Sequence, residues 1–259
     1  MNDPSKKDEL AAAVAGLAES DLDKASRARM LGRLVGGLRE RGVKGLYAPR
    51  KALGWIVDAV SDLAPHIPVR TLATLREHYP GLDGDELAQR LIRNASRATG
   101  GVGALGGGIA SVEWAAPPAL LSTPVLLATE TVAVVAVELK LIGELHEIYG
   151  PAITGSTTQK AMALLQGWAG RRGVNPLVPG GAMATVLGTA TRKQLRDSIL
   201  KRFGRNLTSL GPFLTGAAIA SYLNQRQTRK LGEEVARDLR QRHAIPAPAL
   251  PPAVQDAAN

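Results

Sequence analysis

Apolar positions along this chain recur at helical spacing, and no segment shows the two-residue alternation of a half-buried strand. Leu31, Leu34, Val35 and Leu38 fall at i, i+3, i+4 and i+7 and form one helical stripe. Ser20-Asp21-Leu22-Asp23 precedes them, with a hydroxyl for the N-cap and carboxylates for the first turn. Leu53, Ile56, Val57 and Val60 form the inward face of a helix over 52–64. Pro68 suits a first helical turn, which predicts a helix over 69–78, stopped by Pro80-Gly81. Asp83-Gly84-Asp85-Glu86 is a capping-box-like start for a helix with Leu87, Leu91 and Ile92 on one side and Arg90, Arg93 and Arg97 around the rest. Short helices are predicted over 10–17 and from Thr157 or Thr158 to Trp168. Thr191 and Gln194 cap a basic helix in which Leu195, Ile199 and Phe203 share a face, and a last polar helix runs through Arg240.

The fold class expected is all-α. It is a multi-helix bundle with glycine- and alanine-rich, close-packed central helices and a disordered C-terminal tail. Residues 1–19 read as flexible or weakly helical, with 1–8 disordered. Residues 20–242 read as a single helical domain, and the Ala/Pro-rich residues 243–259 as disordered.

The centre of the pattern is the stretch 98–139, which contains no Lys or Arg and only the acids Glu113, Glu130 and Glu138. Ala95, Thr99, Gly103, Gly107, Ser111 and Ala115 follow one another at i+4 and make a ridge of small side chains. Such a ridge lets a second helix backbone come close. Each glycine costs a helix about 1 kcal/mol relative to Ala, so the ridge needs close packing to compensate. Gly101-Val102-Gly103-Ala104-Leu105-Gly106 also matches G-x-G-x-x-G. That motif binds dinucleotide phosphates after a strand, whereas here it follows a capped, Arg-rich helix. It is read as packing, with an irregular loop over part of it as the alternative.

The helix predicted over 125–149 is apolar nearly all round in its first half, the mark of a buried or membrane helix. Glu130 shares a stripe with Val134, Val137, Leu141 and Ile148. A carboxylate there must be paired, protonated or facing a polar cavity, and a buried Glu–Arg pair is the expectation. Glu113, Glu130 and Glu138 are therefore the buried polar candidates. Lys140, Glu144 and Glu147 read as an ordinary exposed helix end. The four histidines are scattered, His146 sits nearly opposite Glu130, and there is no Glu-x-x-His, G-x-S-x-G or P-loop pattern. No catalytic, cofactor or metal-ligating residues are assigned, and the chain is read as non-enzymatic.

Charge narrows the partners. The chain holds 32 bases and 23 acids, a formal net charge of +9, and all the bases lie outside the central stretch. Such an excess favours anionic lipid, nucleic acid or acidic proteins. The candidate basic surface comprises Arg29, Arg33, Arg39, Arg41, Lys44, Arg50 and Lys51, then Arg192, Lys193, Arg196, Lys201, Arg202 and Arg205. It reads as a solvated helix face or, functionally, as amphipathic basic helices resting on an anionic membrane. Aromatics at 3% and the lack of a helix-turn-helix disfavour nucleic acid. The absence of cysteine excludes disulfides and thiolate chemistry. Lys6-Lys7 followed by Asp8-Glu9 make a poor signal peptide. Three prolines and Glu130 weaken a spanning reading of the central stretch. The uncharged stretches 173–191 and 206–225 carry bases on both flanks, as suits a buried segment or a shallow hairpin rather than an ordinary span.

Two blocks resemble the EcsC-like family of bacterial α-helical proteins. One is Gly100–Gly108, followed by the apolar helix ending in Leu141-Ile142-Gly143-Glu144-Leu145-His146-Glu147-Ile148-Tyr149-Gly150. The other is Leu210-Gly211-Pro212-Phe213-Leu214-Thr215-Gly216, continuing to Thr228-Arg229-Lys230-Leu231-Gly232. Together they cover about 85–240. The chain departs from the family at Glu113-Trp114 before Pro117-Pro118, where members tend to carry an Asp-Leu-Pro-like turn. The resemblance implies an α-helical, membrane-associated bacterial protein and carries over no catalytic residue. The expected function is thus a helical protein at the inner face of the cell membrane, cytoplasmic and peripheral or partly inserted. The alternative is a soluble carrier with a lipid or other apolar small molecule between helices near Glu130.

Overall fold

A computed structural model describes residues 4–17, 24–40, 42, 49–114, 123–150, 153–170, 192–201 and 216–244. The regular structure of the described residues is helical, without a strand, so the fold is an all-α multi-helix bundle. Helix α1 is Pro4–Leu17, α2 Lys24–Glu40, α3 Pro49–Leu63, α4 Leu72–His78, α5 Gly84–Trp114, α6 Thr123–Tyr149, α7 Thr157–Gly170 and α8 Gly216–Ala244. Residues 192–201 are also helical.

Helix α1 starts earlier than its apolar residues suggested. Proline has no N–H to waste in a first turn, and Leu10, Val14 and Leu17 then bury one face. Asp8 meets His66 at 2.7 Å, tying α1 to the 3-10 turn Ala64–His66 that follows α3. Helix α4 is shorter than the 69–78 expected from Pro68. Thr71 caps it, its hydroxyl accepting from the Thr74 N–H at 3.3 Å. Pro68, Val69 and Arg70 stay outside the helix and lie over α6, where Val69 packs against Gly143.

Helix α6 is the central element, buried at every position from Thr131 to His146. This overturns the reading of Lys140 and Glu144 as an exposed end: both are 3% exposed. The cause is long-range, because segment 68–70 covers that side.

Helices α5 and α8 run antiparallel and meet along most of their length. Asp85 meets Arg240, Gly100 faces Ser221, Thr99 meets Thr228, and Ile92 packs on Gly232. The small-residue ridge makes this approach. Ala95, Thr99 and Gly103 are buried, and a Cβ on Gly103 would lie 2.9 Å from the Ala220 backbone. Gly232 is the reciprocal position on α8, where an added Cβ would lie 2.8 Å from Ile92. The glycine cluster is continuous helix, so neither the loop nor the strand-then-glycine geometry of a dinucleotide site is present. Helix α6 runs parallel to α8 through Glu138–Thr228 and Glu130–Asn224.

Gly107 and Ser111 continue along α5, as does Glu113, but their side chains lie outside the described set, as do those of Arg39 and Arg50. Ala115, Arg41, Lys44, Arg202 and Arg205 lie outside the described residues, together with 173–191, 206–215 and the tail from 245. Among the described residues no helix is long and apolar enough to cross a membrane.

Candidate functional site

The three long helices enclose a polar seam. At its centre is Glu138, fully buried on α6. The Trp168 indole N–H, at the end of α7, donates to its Oε2 at 2.8 Å. Thr228 on α8 donates its hydroxyl to Oε1 at 2.5 Å. The Thr228 oxygen in turn lies 2.9 Å from the Thr99 hydroxyl of α5, which also approaches the carbonyls of Ser96 at 3.1 Å and Asn224 at 3.4 Å. One carboxylate thus receives donors from α7 and α8 and, through Thr228, reaches α5. Buried acceptors of this kind stabilise a unique packing when every partner is present.

Two turns earlier on α6, Glu130 accepts from the Asn224 side-chain amide at 2.8 Å. Loss of hydration pushes its carboxyl up to about 7, and the amide hydrogen bond only partly opposes this. The Glu–Arg pair expected here is not what forms: among the described residues Glu130 meets an amide and makes no ion pair. An uncharged donor favours the charged carboxylate less than a guanidinium would, so the effect of lost hydration prevails and the carboxyl stays above its ordinary value.

The buried Glu–Arg pair exists elsewhere, at a position sequence reading placed on the surface. Glu144 Oε1 lies 2.7 Å from Arg70 Nε and 2.5 Å from Lys140 Nζ, while Arg70 Nη2 reaches Oε2 at 3.1 Å. Lys140 also donates to the Pro68 carbonyl at 3.0 Å. Arg70 stands 5.7 Å from the centre of the Tyr79 ring, and Arg90 5.9 Å from the same ring. Asn94 donates to the Tyr79 hydroxyl at 3.1 Å. Beside this group is a cavity of about 10 Å³, lined by Asn94, Ala95, Lys140 and Glu144 among others. That volume suits one water, and the buried Asn94 Oδ1, which has no protein partner, is a ready acceptor for it. A Lys four residues before a Glu normally reads as a surface pair. Only the apolar neighbours Val137, Leu141 and Leu145 hinted at its burial.

The far end of the seam is closed by Tyr149, whose hydroxyl donates to Asp85. Arg240 pairs with the same carboxylate at 3.0 Å and stands over the Tyr149 ring at 5.8 Å. Burial, reinforced by Asp85, raises the phenol above its ordinary value.

The basic candidates that are described lie outside. Arg29, Arg33, Lys51, Arg192, Lys193, Arg196 and Lys201 are exposed, and Arg192 pairs with Asp58. A cleft of about 660 Å³ lies between α1 and α2, with Glu9 and Arg33 among its lining and Leu10, Ala13 and Met30 as its apolar wall. Neither this cleft nor the small cavity reaches Glu130. Among the described residues no cluster of His, Asp and Glu has the arrangement of a metal site. The chain matches no protein-family model, no curated protein and no solved structure.

Proposed function

We propose that this is a non-enzymatic helical protein that docks on the inner, anionic face of a bacterial cell membrane through its basic helix faces. The supporting observation is the split between surface and interior. Arg29, Arg33, Lys51, Lys193, Arg196 and Lys201 are exposed, while the apolar helix α6, which holds no base before Lys140, is the core of the bundle. Each Lys or Arg held at an anionic bilayer contributes about 1 kcal/mol, screened by salt. The resemblance to the EcsC-like family points the same way. The buried carboxylates fit this reading, since Glu138 accepts from donors on α7 and α8, and Glu144 from Arg70 of the segment that lies over α6. The test is fractionation of cells at low salt. The protein is expected in the membrane pellet and released by a high-salt or carbonate wash. Recovery wholly in the supernatant at low salt refutes the reading.

A second reading, a carrier with a lipid or other apolar molecule between helices near Glu130, draws on one observation. Glu130 is a poorly hydrated carboxyl with an amide as its hydrogen-bond partner. Native mass spectrometry of the purified protein tests it, and a mass equal to that of the bare chain counts against it.

A further inference from the structure

Three large apolar side chains are strongly exposed among the described residues: Leu200 at 45%, Ile219 at 49% and Tyr222 at 59%. Two of them stand one turn apart at the start of α8, the helix whose inner face carries Asn224 and Thr228 of the seam. At about 100° per residue, Ile219, Arg226 and Lys230 fall within about 20° of one line, diametrically opposite Thr228. Tyr222 and Arg229 form a second line on the same outer side, and all five residues are exposed, on the side away from buried Leu231 and Val235. The inner face is therefore committed to the bundle, and the outer face is apolar at its beginning and basic two turns later.

The basic part is available for a partner. Arg226 and Arg229 make no ion pair among the described residues, and Lys230 reaches only Glu234, at 3.7 Å on the surface. The order of residues also has a length scale. A helix rises about 1.5 Å per residue, which puts Arg226 about 10 Å along the axis from Ile219 and Lys230 about 16 Å. Interfacial helices bury their apolar side about 5–10 Å into the boundary between headgroups and acyl chains. With α8 tilted so that its N-terminal end brings Ile219 to that depth, the bases about 10–16 Å further along the axis stand at the level of the phosphates. Tyr222 lies between the two, with an apolar ring and a polar hydroxyl suited to the interface. Nucleic acid would use the bases but has no use for an exposed isoleucine.

We infer that the outer face of the first half of α8, Ile219 and Tyr222 backed by Arg226, Arg229 and Lys230, is the element that seats on an anionic phospholipid bilayer. This rests on the membrane-docking reading and names the part of the molecule that carries it. Ile219 and Tyr222 enter the interface, and the three bases hold lipid phosphates.

The absence of cysteine makes a direct test simple. Tyr222→Cys and, as a control further along α8, Gln241→Cys are each labelled with an environment-sensitive fluorophore. They are mixed with vesicles of phosphatidylglycerol and phosphatidylcholine, and binding is followed in parallel by co-sedimentation. A blue shift and brightening at 222 with none at 241 is the expected result. Ile219→Glu and Tyr222→Glu should each weaken vesicle binding by about tenfold or more, the equivalent of losing one buried apolar side chain. Both positions are exposed, so the helical circular dichroism and melting temperature should stay at the parent values. Binding by the parent protein with a silent label at 222, and with both glutamate variants unaffected, overturns this inference and leaves the membrane reading standing. No binding by the parent protein removes both. Concentration-dependent self-association that Ile219→Glu abolishes would assign the face to a second copy of the chain instead.

Discussion

Thr228 Oγ1 lies 2.5 Å from Glu138 Oε1 and joins α8 to α6 across 90 residues of chain. Trp168 fills the other carboxylate oxygen from α7. Glu138→Ala strands two buried donors. Each unsatisfied group costs about 1–3 kcal/mol, so the variant should lose about 3 kcal/mol or more in urea denaturation. Thr228→Val should cost less, because Glu138 keeps the indole. A double-mutant cycle with Thr99→Val should show coupling of about 0.5 kcal/mol or more, since the two hydroxyls share one chain of hydrogen bonds.

Glu130 should make stability fall as pH rises. The folded protein holds the proton up to about 7, against an ordinary value of 4.5, so between these values the native state binds more protons than the unfolded chain. Stability is therefore fullest below the lower value, declines through the window and levels off above it. The size is up to about 3 kcal/mol. Glu130→Gln keeps an acceptor for Asn224 and removes the titration. Thermal melts from pH 5 to 8 should show the parent losing stability relative to this variant. A constant difference would sink the assignment.

In the buried ionic group Glu144 meets both Lys140 and Arg70, whereas Lys140 adds one further hydrogen bond, to Pro68, and this sets an order of effects. Glu144→Gln removes the carboxylate charge that faces buried Lys140 at 2.5 Å and Arg70 at 2.7 Å, and should cost about 3–5 kcal/mol. Lys140→Met leaves the Arg70–Glu144 pair intact and should cost about 1 kcal/mol, from the lost donor to the Pro68 carbonyl. Equal costs for the two variants would contradict the geometry.

Glycines in different helices should respond with opposite sign. A Cβ on Gly103 would meet the Ala220 backbone at 2.9 Å, so Gly103→Ala should destabilise by about 1–3 kcal/mol through forced separation of α5 and α8. Gly54 on α3 has nothing within 4 Å of an added Cβ. There Gly54→Ala should gain about 0.5–1 kcal/mol from helix propensity. Denaturant midpoints of the two variants decide it.

These contrasts also mark what local sequence could reveal. Ala95, Thr99 and Gly103 were legible as a packing ridge because a helix imposes the i+4 repeat without knowledge of the partner. Glu130 was legible as misplaced because its own stripe is apolar. Its partner was not, since Asn224 lies 94 residues away and an amide leaves no charge pattern to match. Lys140 and Glu144 were misread because their spacing is that of a surface pair and their burial comes from segment 68–70 folding over α6. Glu138 stood out only as an acid in an apolar run, with no local trace of Trp168 or Thr228. The outer face of α8 was hidden because its apolar and basic parts read in sequence as an uncharged stretch with a basic flank.

The most direct test of the account is flotation of the purified protein with vesicles of defined charge. Co-flotation with anionic vesicles, none with purely zwitterionic ones, and release in about 0.5 M salt, where the screening length is about 4 Å, is the predicted result. Equal flotation with both kinds of vesicle, or none with either at low salt, would contradict it.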